Sequence, residues 1–208
     1  SGERGIFNRE ASKAQAAKYG RRDPNYEFGC NPCSEIILRP YQFCNLTEVV
    51  VRATDSVKDL ERKVKIATIL GSIQSSYTKF PYLRKVWQRN TEEERLLGVS
   101  LTGIMDNPLM TSVNSNLEKL LNDLRTVAVA TNLEYSSLLD IPQSAAITCV
   151  KPSGTVSQLV DSASGIHARH SPYYIRTVRG DNKDPLTQFM MDNGVPNEPC
   201  VFKSDTTT

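Results

Sequence analysis

The sequence predicts an α/β fold with a largely parallel sheet, because long amphipathic stretches alternate with short apolar runs of strand length. Val57, Leu60, Val64, Ala67, Leu70, Ile73 and Tyr77 recur at intervals of three and four, and so do Leu117, Leu120, Leu121, Leu124, Ala128 and Leu138. Around them lie Leu46 to Arg52, Val99 to Thr102 and Ala145 to Val150, apolar or β-branched runs too short for helices. No internal repeat, low-complexity tract or clear linker interrupts the 208 residues, which read as a single domain over 1–208.

Taken in order, Arg9 to Tyr19 is rich in alanine and lysine and is followed by Gly20, which predicts a short helix with a glycine stop. Arg21 to Phe28 is polar, contains Pro24 and reads as a loop. Glu35 to Leu38 and Leu46 to Arg52 read as strands, with Pro40 between them turning the chain back. Ser56 and Asp59 form a capping-box pair at the head of the first long helix. Thr91 and Glu94 have the same spacing and predict a second, short helix ending near Gly98, with Glu92, Glu93, Glu94 and Arg95 as its solvated first turn. Ser115 to Leu139 is the second long helix. Tyr173 to Val178 reads as a further strand, its two tyrosines packing there, and Pro185 to Asp192 as a last helix closed by Gly194.

Composition narrows the function classes. With 39% hydrophobic and 23% charged residues, the chain is of ordinary globular type, and a net charge of +2 supplies no basic stripe for DNA or RNA. No apolar run reaches the roughly 18 residues of a membrane span, and no signal peptide is expected. Five cysteines, an odd number at low density, point to a reducing compartment, with the cytoplasm as the default location.

The chemistry concentrates at Gly29 to Leu38. If that backbone is extended, Asn31, Cys33 and Glu35 alternate onto one face, which would place an amide, a thiol and a carboxylate in one site. The arrangement alone does not name a reaction. Cys33 is also readable as a buried small hydrophobe. Cys30 and Cys33 form a C-x-x-C pair, which in other settings is a redox pair or half a zinc site, with His167 and His170 as the other half. A thioredoxin-like pair belongs at the head of a helix, whereas Glu35 to Pro40 reads as strand and turn, and the histidines lie far along the chain. No metal ligand set is therefore assigned; the histidines read as loop or core residues and Cys30 as a passive neighbour.

A second candidate is Pro152, Ser153, Gly154, Thr155, Val156 and Ser157, set after a strand and before a short helix. Small residues there let the backbone approach an anion, and hydroxyls and free N–H groups can donate to it, although the same string also serves as an ordinary turn.

Asn31-Pro32-Cys33-x-Glu35-Ile36 with Cys44-Asn45-Leu46 downstream resembles the active-site loop of ribonucleotide reductases, and the eleven-position step from Cys33 to Cys44 is similar to that of the cobalamin-dependent class II enzymes. Gly98 to Gly103, and Pro152 to Gln158 followed by Ser164 to His167 and Tyr174 to Arg176, resemble further segments of that class. The resemblance implies that Cys33 is the thiyl-radical cysteine, that Asn31 and Glu35 hold and deprotonate the substrate ribose, that Cys44 is one of two reducing thiols, and that residues 152–157 hold the substrate phosphates. It further implies part of an α/β barrel of two antiparallel halves with Cys33 on a central finger loop. The expected cofactor is adenosylcobalamin and the expected substrate a ribonucleotide, a triphosphate by similarity to the monomeric type. An external dithiol such as thioredoxin and the remainder of the reductase chain are the expected partners. The second reducing thiol, the shuttle cysteines and a cobalamin-contacting region have no counterpart here, so the sequence is expected to be a piece of a longer polypeptide and inactive alone. The alternative is a zinc- or nucleotide-binding module without redox catalysis.

Overall fold

In the computed structural model, which describes residues 5–207, the chain forms two units, one up to Arg169 and one from His170 onward. The first opens with α1 (Arg9–Ala17), where the Asn8 side chain accepts from the Ala11 N–H at 3.0 Å, and Gly20 at φ 66° turns the chain away. β1 (Gly29–Cys30) and β2 (Ile37–Leu38) pair antiparallel. β3 (Asn45–Val50) then leads to α2 (Val57–Gln74), which starts on the predicted capping box of Ser56 and Asp59. α3 (Lys85–Glu94) precedes β4 (Leu97–Thr102), and a single 3₁₀ turn at Ile104–Asp106 leads to α4 (Ser115–Leu138), capped by Asn114.

The sheet is parallel, as the alternation of helices and strands predicts. β3 and β4 pair over all six residues, from Asn45 opposite Leu97 to Val50 opposite Thr102. On the other edge of β4, the Leu97 and Val99 N–H groups donate to the Ala146 and Ile147 carbonyls, and the Cys149 N–H donates to the Val99 carbonyl. The predicted run 145–150 thus lies parallel to β4, through one isolated bridge between Val99 and Thr148. α2 packs on both strands and on α4, burying Val49, Val51, Leu60, Val64, Leu97, Val99, Leu124, Ala128 and Ile147. Burying aliphatic side chains of this size stabilises by about 1.5–3 kcal/mol each. A buried Asn132 joins the layers, donating to the Ser72 and Ser144 hydroxyls at 2.9 and 3.0 Å.

The buried face of α2 is narrower than the predicted stripe. Leu60, Val64, Ala67, Thr68, Gly71 and Ser72 face inward, while Leu70, Ile73 and Tyr77 are exposed. The small residues explain the rotation: a Cβ on Gly71 would collide with Leu97, so the helix meets the sheet along its slimmest side.

Two expected elements are corrected. Thr91 and Glu94 do not open a helix; they close α3, whose chain reverses at Arg95 with φ 46°. The acidic run is no solvated first turn either, since Glu94 and Arg95 are 5% and 8% exposed. A buried partner overrides the capping signature. Arg22 donates to Glu94 through Nε at 3.0 Å and Nη2 at 2.9 Å, with 4% and 7% of the two side chains exposed. Tyr173 to Val178 forms no strand; Tyr173 and Ile175 are more than nine-tenths exposed, and apolar alternation without a neighbouring strand to pair leaves the run irregular.

Before the first unit ends, one helical turn, α5 (Val156–Leu159), follows the run beside β4. In the second unit β5 (Gly180–Asp181) pairs antiparallel with β6 (Thr206–Thr207). Between them α6 (Pro185–Asp192) starts as predicted, with Asp184 as cap and Pro185 in its first turn. Among the described residues no helix is long and apolar enough to cross a membrane.

The buried pair generates a stability prediction. Glu94→Gln strands the Arg22 guanidinium in the interior and is expected to lower the unfolding free energy by about 3 kcal/mol. Arg22→Met combined with Glu94→Leu recovers most of that loss. Urea unfolding of the three proteins measures both; a loss below about 1 kcal/mol in the single variant contradicts the assignment.

Candidate active site

The loop between β1 and β2 is built by its own sequence. The Asn31 carbonyl accepts from the Ser34 N–H at 2.9 Å, enclosing Pro32 and Cys33 in a turn with proline at the second position. Ser34 follows at φ 62°, and the Asn31 side-chain oxygen accepts from the Ile36 N–H at 3.0 Å, closing the hairpin. The extended run expected over residues 31–35 is therefore replaced by a turn, because Asn-Pro favours turn initiation over a strand. Cys33 sits exposed at the tip, and Asn31 and Glu35 approach one another across its base rather than along one strand face.

The base of this finger is bolted to α3. Besides Glu94, Arg22 donates to the Ile37 carbonyl at 2.8 Å and to the Gln42 side-chain oxygen at 3.3 Å. Arg39 donates to Glu93 at 2.8 Å while its guanidinium lies 3.8 Å from the Tyr26 ring centre, and Asn90 donates to the Pro40 carbonyl at 2.9 Å. The expected turn at Pro40 is present, with Tyr41 at φ 60°, and it delivers Cys44, half-buried, to the start of β3.

The Glu35 side chain is wholly covered, and its Oε1 accepts from the Lys151 ammonium at 2.8 Å. Its Oε2 is buried with no hydrogen-bond partner. Burial pushes the carboxyl up, but the bond to Lys151, the backbone N–H, the Asn31 amide and the Lys151 charge outweigh it and hold Glu35 below the usual carboxylate range. Lys151 moves the other way: its bond to Glu35 raises it against the effect of burial, helped by the charges of Glu35, Cys33 and Cys149. Cys44 is pushed up by burial and then by Glu35. Cys149, half-buried beside β4, is pushed up to about 12 by burial, then Glu35 and Cys44. Glu35 and Cys149 also line a cavity of about 720 Å³ together with Ile36, Ile147 and Ile166.

Lys151 leads directly into residues 152–157. Ser153 and Ser157 are buried, Pro152, Gly154, Thr155 and Val156 are exposed, and the Ser157 hydroxyl donates to the Gly154 carbonyl at 3.1 Å. The Ser153 hydroxyl is buried without a partner, and a Cβ on Gly154 would meet open space. The loop is held from below by Gly165, whose φ of 53° lets the backbone approach so closely that a Cβ would lie 3.0 Å from the Lys151 carbonyl. The Gly165 N–H in turn donates to the Thr102 hydroxyl at 2.9 Å, fixing the loop to the end of β4.

Thus Glu35, Asn31, Cys44 and Cys149 share one electrostatic environment with Lys151, and Cys33 acts on the same ammonium from the tip. The Cys30 thiol lies 3.5 Å from the hydroxyl of its loop neighbour Ser34, and His167 is an exposed loop residue. Among the described residues no group of three His, Cys, Asp or Glu converges as a metal site. Lys151 and Cys149 were not legible as site residues, because each gains its role from partners more than a hundred positions away. Their position flanking the phosphate-loop motif was the one available signal.

No protein-family model matches the chain. Curated relatives do. The adenosylcobalamin-dependent ribonucleoside-triphosphate reductase of Lactobacillus gasseri is 31% identical over 99% of this chain and 31% of its own length. That of Lactobacillus delbrueckii subsp. bulgaricus is 28% identical over 100% of this chain and 31% of its own length. A probable adenosylcobalamin-dependent ribonucleoside-triphosphate reductase of Dictyostelium discoideum is 32% identical over 85% of this chain and 23% of its own length. The chain therefore spans about a third or less of the curated relatives it matches. Among solved structures, a B12-dependent (class II) ribonucleotide reductase matches with a TM-score of 0.68 and 25% identity, over 86% of this chain and 28% of that one.

Two measurements check the site's geometry. Iodoacetamide at pH 8 is expected to modify Cys33 at least about tenfold faster than Cys44 or Cys149, since Cys33 is exposed while burial covers the other two thiols and pushes them up. Peptide mass spectrometry that finds Cys149 labelled as fast as Cys33 contradicts the burial described. Gly98 lies under the finger, where an added Cβ would meet Leu46, Ile36 and Cys149 at 2.5, 3.0 and 3.1 Å. Gly98→Ala is expected to cost about 1–3 kcal/mol in chemical unfolding, and unchanged stability contradicts that packing.

Proposed function

Because the chain belongs to the class II, adenosylcobalamin-dependent ribonucleotide reductase family, we propose that it supplies the radical cysteine and the substrate-phosphate loop of an enzyme that reduces ribonucleotides, triphosphates foremost, to 2′-deoxyribonucleotides. One observation carries this reading beyond the likeness: the Glu35–Lys151 contact, spanning 116 positions, joins the finger loop to residues 152–157. A base for the sugar and a cradle for its phosphates are thereby neighbours. The parallel strands would be part of the two-halved α/β barrel of that family, with the finger at its centre.

In this reading each side chain has one task. Cys33, as a thiyl, takes the hydrogen atom from C3′, and the S–H bond formed is similar in strength to the C–H bond broken. Glu35 takes the proton of the 3′-hydroxyl as general base, for which an ionised carboxylate is required. Asn31 orients the hydroxyls without changing charge. Cys44 provides the proton with which the 2′-hydroxyl leaves as water. It then closes to a disulfide with a thiol from an earlier strand of the barrel, the pair supplying two electrons. An external dithiol such as thioredoxin reduces that disulfide.

Adenosylcobalamin, when bound, supplies the organic radical that generates the thiyl. The exposed sulfur of Cys33 fits that demand, because it is open to an outside hydrogen acceptor while Cys44 and Cys149 are not exposed. No residue of this chain is assigned to the corrin itself.

The residues 152–157 hold phosphate oxygens through backbone N–H groups and the Ser153 hydroxyl, which lacks any other partner. The remainder of the reductase chain completes the site, so the 208-residue chain alone is expected to yield no deoxynucleotide with adenosylcobalamin, a nucleoside triphosphate and dithiothreitol. In the complete enzyme, Cys33→Ser abolishes both cobalt–carbon cleavage and turnover, and Cys44→Ser still cleaves but fails to turn over. Turnover by Cys33→Ser overturns the assignment.

A further inference from the structure

We propose that Lys151 is a positioning residue for the reaction: its ammonium holds one oxygen of Glu35 and leaves the other, Oε2, free to take the ribose proton. The inference rests on the proposed role of Glu35 as the base. The geometry is asymmetric in a way an ordinary ion pair is not. Oε1 is engaged by Lys151 at 2.8 Å, while Oε2 is buried, shielded from water and without a partner. A buried acceptor left unsatisfied costs free energy, so such atoms mark places where a ligand group completes the bonding. A donor entering the site can complete the bonding of Oε2, and a sugar hydroxyl is a donor.

The charge on Lys151 favours the ionised form of that carboxyl. The Glu35 side chain has no exposed area, and burial without a cation pushes a carboxyl up. The groups that face it are Lys151, Asn31 and its own backbone N–H, which favour its charge, and Cys44 and Cys149, whose thiolates would oppose it, while Cys33 acts on Lys151. Lys151 is the one cation among them. It also directly precedes residues 152–157, so the phosphate loop and the position of the base are linked through one stretch of backbone.

Proton transfer in this scheme is balanced: the 3′-hydroxyl loses a proton to Oε2, Glu35 becomes neutral, and Lys151 keeps its own proton throughout. Because the Glu35 carboxyl is held low in the folded chain, its ionised form persists as pH falls below the ordinary carboxylate range. Removing the ammonium raises the pH at which it is lost.

The test uses two readouts. In the carbon-13 glutamate-labelled chain, the Glu35 carboxyl resonance, assigned by its loss in Glu35→Gln, is expected to titrate at higher pH in Lys151→Gln than in the native chain, with Lys151→Arg returning toward it. In the complete enzyme, Lys151→Gln is expected to move the acid limb of kcat to higher pH with KM for the nucleotide little changed, and Lys151→Arg to restore it. An unmoved Glu35 titration, or a loss of kcat uniform across pH, overturns the proposal. If Glu35→Gln turns over normally, the base assignment itself fails. If Glu35→Gln is inactive while the Lys151→Gln profile is unshifted, only the role of Lys151 fails.

Discussion

A buried ion pair between a loop arginine and the last turn of a helix sets the position of the finger that carries Asn31, Cys33 and Glu35. Arg22 places two nitrogens on Glu94 and a third on the Ile37 carbonyl, so a single guanidinium clamps the end of α3 to the base of the finger. Gln42 donates to Glu94 as well, which adds the returning arm of the loop to the same anchor. Both charges are out of solvent and fully paired, the condition under which such a group specifies one geometry at little net cost. The finger is otherwise short of means to hold itself, since β1 and β2 are two residues each and a two-stranded ribbon of that length is not stable alone.

Above that anchor, the turn and the ion pair at the tip divide labour. Asn31-Pro32-Cys33-Ser34 closes tightly enough to push Cys33 outward, while Glu35 is drawn inward to Lys151. One sulfur is thus exposed, and two others, Cys44 and Cys149, are kept protonated by burial and by the neighbouring carboxylate. Cys44, proposed to give a proton and later form a disulfide, is kept protonated by this environment, and a thiol that must meet an external radical is suited by exposure. The proposed roles follow that division.

Much of the layout was legible in the sequence. The capping box at Ser56 and the runs Arg9 to Tyr19, Leu46 to Arg52, Val57 to Tyr77, Val99 to Thr102, Ser115 to Leu139 and Pro185 to Asp192 correspond to observed elements, because local propensity and burial there agree. Reading failed where a distant partner prevailed. Glu94 mimics an N-terminal capping residue, yet its carboxylate is claimed by Arg22, 72 positions earlier. Gly71 and Ser72 look like weak points in an apolar stripe, yet they form the face that meets the sheet. At the site, the motif pointed to Asn31, Cys33, Glu35 and Cys44 but implied an extended run where Pro32 builds a turn. Lys151 could not be paired with Glu35 by any local pattern, being 116 positions away.

The central claim is that finger and loop together form one nucleotide site. Its most direct test is a crystal structure of the complete enzyme with a ribonucleoside triphosphate bound. The account predicts phosphate oxygens on the backbone of residues 153–157, the ribose C3′ beside the Cys33 sulfur and the 3′-hydroxyl against Oε2 of Glu35. A nucleotide bound with its ribose away from Cys33, or its phosphates away from residues 153–157, would contradict it.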